Sequence, residues 1–568
     1  MSKNPVSRIG KGSIGGKALN LFAVFPILSE KFADRTQDQM PVTIPPMTVL
    51  ATSCFDAFVS ENSLRNLDFE GMSDKEIAKR FQEARLPSNV EEGLCALVQT
   101  AAKPLAVRSS GLFEDSLRKS CAGVYLTKMV PNRDPRPENR LSDLVRAVKL
   151  VLASAFFEKA RRFLASLGAD QGEEKIAVII QEVVGSAHGE RFYPTVSGTA
   201  RSHDYYPIGH AAPKDGSVSL ALGLGNTVTE GGRFYTCCPA YPNTPPPFNS
   251  VFAMMKETQT DFFAVNVGGS NCLHPICETE YLVQVGIDDA EKDGTLSEIA
   301  STYVAENDRL VPGTYRKGPR VLNFAPILQL GGLPLCSTLK ALSFACEETL
   351  GTPVELEFAV DIEPGRPASL SLLQVRPIFS AAIDGVTLSW ESLSFPEVIV
   401  ASEKALGNGV FRDIRDIVFV SADALSPNHG PAAATELATI NRSLKSACRP
   451  YVLIGYGRMG TSDPWRGVPA AWSQISGAKV IIEVQKKGRE TEFSGGSHFF
   501  RDMTSSQTCY FSVASEGPHT IDWRYISDQE RLSKGTHVTH VRSSKPLSVK
   551  VDGRSGRGIV AIDTASFN

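Results

Sequence analysis

The chain has 568 residues, too many for one hydrophobic core, so two or three domains are expected. With 42% hydrophobic and 21% charged residues, its composition is that of an ordinary soluble globular protein. A formal net charge of -3 gives no general reason to expect nucleic acid as partner. No apolar run approaches the roughly 18 residues that span a membrane, so no membrane partner is expected. The 11 cysteines are scattered and no secretory signal is read, which predicts reduced thiols in a cytoplasm. Cys272, His274 and Cys277, with Cys237 and Cys238 upstream, match none of the common four-ligand zinc spacings, so ordinary thiols are expected there.

In chain order, a glycine-rich opening precedes apolar and small residues at helical spacing over 18–32. A proline-rich stretch, 41–46, leads into a short apolar run. Residues 131–140 (PNRDPRPENR) read as an exposed loop. After it, Leu141, Leu144, Val145, Val148, Leu152, Ala155 and Phe156 repeat at the three-and-four spacing of an amphipathic helix, with Gly168 as its C-cap. Short β-branched runs follow: IAVIIQEVV (176–184), the stretch 197–201 and SVSLALGLG (217–225) are predicted strands. VELEFAVDI (354–362) alternates with period two, as does part of LSLLQVRPI (370–378), and the turn EPGRPAS between them makes a hairpin. After residue 385 a second β-rich unit begins, with DIVFV, YVLIGYG, KVIIEV, CYFSVA, HVTHV and LSVKV as strands and His537 and His540 expected on one strand face.

Three elements carry phosphate chemistry. Gly15, Gly16 and Lys17 stand at the start of the first helix, where backbone amides cradle phosphate and a lysine adds charge. This is not a Walker A loop, because Lys11 stands where its first glycine would be and Ala18 replaces the Ser/Thr that holds magnesium. A plain helix-start glycine pair is the alternative. In VRSSGLFEDS, Arg108 precedes two serines, Glu114 and Asp115. Such an arginine either grips phosphate oxygens bidentately or forms a surface salt bridge. In the hairpin, Glu355 and Glu357 share one strand face while Leu356, Phe358 and Val360 fill the other. Gln374 and Arg376 share a face of the second strand. That set suits a magnesium ion bridging phosphates, or else a solvated face with a cross-strand ion pair.

In order and texture these elements resemble the ATP-binding domain of the pyruvate phosphate dikinase and phosphoenolpyruvate synthase family. GGKALNL matches its GGK-x-x-x-L helix, VRSSGLFEDS its VRSS-x-x-x-ED-S segment and CAGVYLT its AG turn. VIIQEVV matches its V-x-x-Q-x-x-V strand and LGLGNTVTEGG its GLG turn. VELEFAVD and LLQVRPI match its closing acidic and Q-x-RP strands. The matches run in order over residues 12–378. The resemblance implies an α/β, ATP-grasp-like nucleotide-binding domain over 1–384, and the strand texture after it is expected to form a β-rich α+β C-terminal domain over 385–568. It implies ATP and Mg2+ as ligands, with Lys17, Arg108 and Arg376 on the phosphates as catalytic groups. By the same resemblance Gly123 and Thr127 belong to a phosphate-covering turn and Gln181 lies near the base or ribose. Glu355 faces the sugar or metal, and Glu357 and Gln374 coordinate magnesium.

A dikinase relays phosphate through a histidine in a G-x-TSHA motif and then through a pyruvate-binding barrel. Neither the motif nor sufficient length is found after residue 385, so pyruvate dikinase activity is not expected of this chain. GYGRMGTSDPWRGVPAAWSQISGAKVIIEV, FSGGSHFFRDMTS and KPLSVKVDGRSGRG resemble the C-terminal region of uncharacterised bacterial proteins built on the same ATP domain, which have Pro and Trp at the positions of Tyr456 and Met459. Gly455, Gly457 and Gly460 form a formal G-x-G-x-x-G, with Glu483 ending a later strand, but Pro464, Gly467 and Pro469 interrupt the helix a dinucleotide site needs. An anion-binding loop using Arg458, Thr461 and Ser462, or a plain turn, is expected instead. His498 in GGSHFF is placed to accept a phosphoryl group or act as general base, or to pack beside Phe499 and Phe500. The expected function is an ATP-dependent phosphotransferase acting on a small-molecule or protein acceptor. A ligase working through a phosphorylated intermediate and an ATP-binding subunit or sensor needing a partner protein are the alternatives.

Overall fold

The computed structural model describes residues 5–69, 71–111, 124–167, 175–207, 210–229, 232–244, 250–269, 273–278, 280–363, 365–378, 388, 397–425, 428–460, 467–485, 503, 506–514 and 521–563. The chain divides into two compact units. One holds Met1–Ser202, Gly216–Thr244 and Ser250–Ile378; the other holds His203–Asp215, Pro245–Asn249 and Phe379–Asn568. Among the described residues no helix is long and apolar enough to cross a membrane.

The first unit opens with β1 (Val6–Ile9), α1 (Gly15–Lys31), β2 (Val42–Thr43) and β3 (Met47–Leu50). Three helices follow, α2 (Thr52–Glu61), α3 (Asp74–Glu83) and α4 (Ser88–Thr100), then β4 (Leu105–Gly111) and β5 (Thr127–Val130). Helices α5 (Pro137–Ala153) and α6 (Glu158–Leu167) lead to β6 (Ile176–Glu182), β7 (Val196–Arg201), β8 (Ser217–Ala221) and β9 (Tyr235–Cys237). Helix α7 (Leu335–Leu350) precedes the hairpin β10 (Val354–Val360) and β11 (Leu370–Pro377).

These strands build a five-stranded sheet, β1-β3-β6-β4-β5, and a six-stranded sheet, β9-β8-β7-β10-β11-β2. Alternation decides what each face buries. Val107, Val178 and Ile180 of the first sheet pack against Phe58, Phe81, Leu144 and Val148 of the helices. The opposite face turns Met47, Val49 and Ile179 toward Ala18, Leu21, Val24 and Leu28 of α1, which share a core with Leu356, Phe358 and Val375 of the second sheet. Helix α1 therefore joins the two sheets through one apolar stripe at three-and-four spacing.

Two sequence expectations fail at their ends. The single helix expected from 141 toward Gly168 is interrupted: α5 stops at Ala153, one 3-10 turn covers Ser154–Phe156, and α6 starts at Glu158. The Ser154 hydroxyl donates to the Val151 carbonyl and accepts from the Leu126 amide, a tertiary bond that competes with continuing the helix. Gly168 lies outside the described residues. The strand expected over 217–225 ends at Ala221. The Gln259 side-chain amide takes both the N–H and the carbonyl of Leu222, ending the ladder there.

In the second unit, β12 (Val398–Ser402), β13 (Lys404–Leu406), β14 (Gly409–Val420), α8 (Gly430–Ser446) and β15 (Tyr451–Tyr456) come first. They are followed by β16 (Ala478–Gln485), β17 (Cys509–Ala514), β18 (Val538–Asp552) and β19 (Arg557–Ile562). The sheet runs β12-β19-β18-β14-β15-β16-β17-β13. Because β12 and β13 are consecutive in sequence, the sheet closes on itself around Ile399, Ile417, Val452, Ile482, Phe511, Val541 and Val560. Strands β14 to β17 pair in parallel, and the rest of the path is antiparallel. DIVFV is the end of β14, and LSVKV with most of HVTHV forms one strand, β18.

His537 and His540 do not share a strand face. They are three positions apart, and His537 precedes β18. The His537 ring stacks on His429, whereas His540 bonds to Asp416 at 2.8 Å. The formal G-x-G-x-x-G is a packed turn. A Cβ on Gly455 would lie 1.8 Å from the Met459 methyl. Glu483 accepts from the Met459 amide at 2.7 Å and from the Tyr510 hydroxyl, so its carboxylate is used within the turn.

Lys128 is completely buried in the first unit, with Nζ donating to the carbonyls of His274 and Cys277 and to Glu280 at 2.8 Å. Lys128→Ala would strand a carboxylate and two carbonyls. We expect it to cost about 3 kcal/mol in urea unfolding; an unchanged midpoint would show that the buried ammonium contributes nothing.

Candidate active site

The start of α1 fixes one wall of the site. Gly15 has φ of 72°, and a Cβ there would lie 2.0 Å from the Ser110 carbonyl oxygen and 2.2 Å from its hydroxyl. Only glycine lets the first turn of α1 approach β4 this closely. The Gly15 amide donates to the Ser13 hydroxyl at 3.1 Å, and the N-cap Ile14 offers no side-chain bond to the amides after it, which suits an anion at the helix end. The buried Ser110 hydroxyl beside them has no hydrogen-bond partner among the described residues. An orphaned buried hydroxyl next to a glycine cradle fits a phosphate oxygen. Lys17, on the same turn, donates through Nζ to the Ser109 carbonyl at 3.2 Å.

Strand β4 sets Arg108 opposite Thr127 on β5 and Ile179 on β6. Gln181, two residues along β6, belongs to the same sheet face and is buried, with Nε2 4.0 Å from the Met47 sulfur. The Thr127 amide donates to the Glu278 carboxylate. From this face Arg108 crosses to the second sheet. Its Nη2 lies 2.8 Å from Gln374 Oε1 and 3.4 Å from Glu357 Oε2.

The hairpin pairs Glu357 with Gln374 and Glu355 with Arg376, antiparallel. A bulge after Glu357 passes over Leu373, and this lets Val375, Leu372 and Leu370 all join the apolar core while the polar pairs stay on the other face. Glu355 is only 5% exposed and is held from both sides: Arg201 Nε sits at 2.5 Å, and Arg376 donates through Nε at 2.9 Å and through Nη2. Burial pushes the Glu355 pKa up, but the two guanidiniums outweigh it and leave the carboxyl below its ordinary value. The carboxylate expected to face sugar or metal is thus gripped by two arginines.

Arg108, Glu357 and Gln374 therefore meet between β4 and the hairpin, with Glu355 and Arg376 two register pairs along, while Lys17 reaches the carbonyl of Ser109, the residue after Arg108. Thr127 and Gln181 lie on the sheet that supports Arg108. Gly123, Thr461, Ser462 and His498 lie outside the described residues, and Arg458 belongs to the second unit. Arg201 was not foreseen from sequence. Its partner Glu355 is 154 positions away, and no local pattern marks the pair. Lys17, Arg108, Arg201 and Arg376 outnumber Glu355 and Glu357, a balance suited to a polyphosphate.

The Glu357 carboxylate and the Gln374 amide oxygen are hard donors of the kind magnesium takes, and both accept from the same Arg108 nitrogen, whose place a metal would have to take. Among the described residues no group of three or more His, Cys, Asp or Glu side chains forms a metal cage. A magnesium ion here would complete its shell with phosphate oxygens and water, as this ion usually does.

The family model for the pyruvate phosphate dikinase AMP/ATP-binding domain matches residues 11–383, more than half of the chain. The chain belongs to this family. No curated protein matches it. The chain thus carries an ATP-binding domain of a phosphotransfer-related family, and the whole Lys17–Arg376 constellation falls inside the matched span.

Glu355 supplies a pH test. Because its folded pKa is depressed, its contribution to stability is complete above the unfolded value of about 4.3 and is lost as pH falls through the folded value. The stability gap between wild type and Glu355→Gln should be constant near neutrality and shrink below that range in acid denaturation curves. A gap that widened on acidification would contradict the ion-pair geometry.

Proposed function

We propose that this chain is an ATP-dependent phosphotransferase whose ATP-grasp-like domain, within residues 1–384, delivers a phosphoryl group from Mg-ATP. The acceptor is bound by the C-terminal domain within 385–568. One observation carries the proposal: Arg108 of one sheet reaches the Glu357–Gln374 pair of the other, and the first turn of α1 lies against Ser110, two residues along the same strand. Such a junction gathers cations, helix-start amides and hard oxygen donors where a triphosphate needs all three.

In this proposal the α1 amides and Ser110 bind phosphate oxygens, and Lys17 and Arg108 spread the charge that builds as phosphorus is attacked. Glu357 and Gln374 would hold magnesium, which when bound would neutralise phosphate charge. Arg376 and Arg201 keep Glu355 ionised, and that carboxylate fixes Arg376 in orientation beside the phosphates. The acceptor nucleophile bonds to phosphorus as the bond to the bridging oxygen breaks, and the leaving nucleotide carries the electron pair away. No step asks more of the protein than positioning and electrostatics.

Wild type, Lys17→Ala and Arg108→Ala are to be incubated with Mg-ATP and a cell metabolite extract, and nucleotide products measured. Each variant should lose turnover by about a hundredfold or more, and chelating the magnesium should silence the wild type. If both variants matched the wild type, the site would be assigned wrongly. The product itself distinguishes transfer modes: ADP marks γ-transfer, and AMP marks dikinase-like or ligase chemistry.

A further inference from the structure

The second unit holds a polar site that the proposed ATP chemistry does not use. Strand β14, helix α8 and strand β15 form a crossover between parallel neighbours, so the N-terminus of α8 lies beyond the carboxyl end of β14. A helix N-terminus at that edge favours anions. Helix α8 has 17 residues, no acidic residue in its first turn and no side-chain cap from its N-cap residue, His429.

Two buried polar atoms at this edge have no hydrogen-bond partner among the described residues: Ser421 Oγ and His537 Nδ1. Ser421 is the first residue after β14, and its amide bonds to the His537 carbonyl at 2.8 Å, which keeps the two residues together. His537 is 9% exposed, and its ring stacks on the exposed ring of His429 with centroids 4.8 Å apart. His429 Nδ1 sits 3.2 Å from the Asp423 carbonyl, which can only accept, so Nδ1 carries the proton. A buried unpartnered imidazole nitrogen costs free energy unless something pairs with it.

A Cβ on Gly430, the first residue of α8, would meet Pro469 at 3.0 Å and the Gly467 carbonyl at 3.6 Å. The facing acids are Asp423 and Glu436. Asp423 is exposed, and the Glu436 carboxylate already accepts from the amides of Thr536, His537 and Val538.

We infer that the N-terminus of α8, with His429, His537 and Ser421, binds a tetrahedral oxyanion: a phosphate group, free or on a small molecule. The Gly430 and Ala432 amides (Pro431 between them has no N–H), the Ser421 hydroxyl and the His537 ring nitrogen approach from several directions beside the stacked His429, which suits a tetrahedral anion better than a planar carboxylate. The site is independent of the ATP assignment.

The test uses the full chain with 15N-labelled histidine, titrated with inorganic phosphate, with a phosphate monoester (glycerol phosphate) and with acetate. The imidazole signals of His429 and His537 should move on adding phosphate, equally in wild type and in Arg108→Ala. Ser421→Ala should weaken that response by about fivefold to tenfold. The tighter of the two phosphate ligands identifies the source, a free ion or a phosphorylated metabolite. Signals that stay fixed throughout, or that respond to acetate as strongly as to phosphate, would overturn the inference. Since Ser421→Ala removes one exchangeable hydroxyl, an unaltered histidine spectrum without ligand verifies its fold.

Discussion

One guanidinium joins two sheets. Arg108 leaves the five-stranded sheet and ends on Gln374 and Glu357 of the six-stranded one, and the partly exposed pair with Glu357 is secondary to the shorter bond to Gln374. Gln374 is 2% exposed, so water does not replace that bond cheaply if it is lost. Helix α1 supports the same junction from beneath, packing its apolar stripe on both sheets and donating from Asn20 to the Val375 carbonyl. The position of every proposed phosphate ligand follows from this arrangement.

The hairpin was legible because alternation is a local property. Glu355, Glu357, Gln374 and Arg376 appear in sequence at period two, and the register pairs them as that period requires. The bulge at Leu373 was not legible, although it is what brings Leu372 and Leu370 to the apolar side. The glycine at position 15 could be read as a phosphate turn or a plain helix start. Its reason is now specific: the first turn of α1 lies against the Ser110 backbone, a contact between segments 95 positions apart. Arg201 and the break before Phe157 were invisible for the same cause, since a distant Glu355 and the Leu126 amide decide them.

In the second unit, composition announced strands but not their closure. Nothing local says that β12 and β13 reach opposite ends of one sheet path, which is what encloses the core around Phe511 and Val541. In the 455–460 turn Gly455 lies against Met459, while Gly457 and Gly460 adopt φ of 69° and 72°, so a dinucleotide-like spacing arose from turn geometry and packing. The histidines that sequence reasoning grouped by strand face sort instead by partner, His540 with Asp416 and His537 with His429. Asp416 shows why: burial raises its pKa, yet His540 and Arg449 bring it below the usual carboxylate range, so it is a satisfied ionic centre.

The claim that both sheets serve one nucleotide is tested most directly by a double-mutant cycle. The affinity for magnesium with a non-hydrolysable ATP analogue would be measured by calorimetry for wild type, Arg108→Ala, Gln374→Ala and the double variant. Joint action on one bound triphosphate predicts losses that fail to add by more than about 1 kcal/mol. Losses that add within about 0.5 kcal/mol, or wild-type affinity in all three variants, would contradict it.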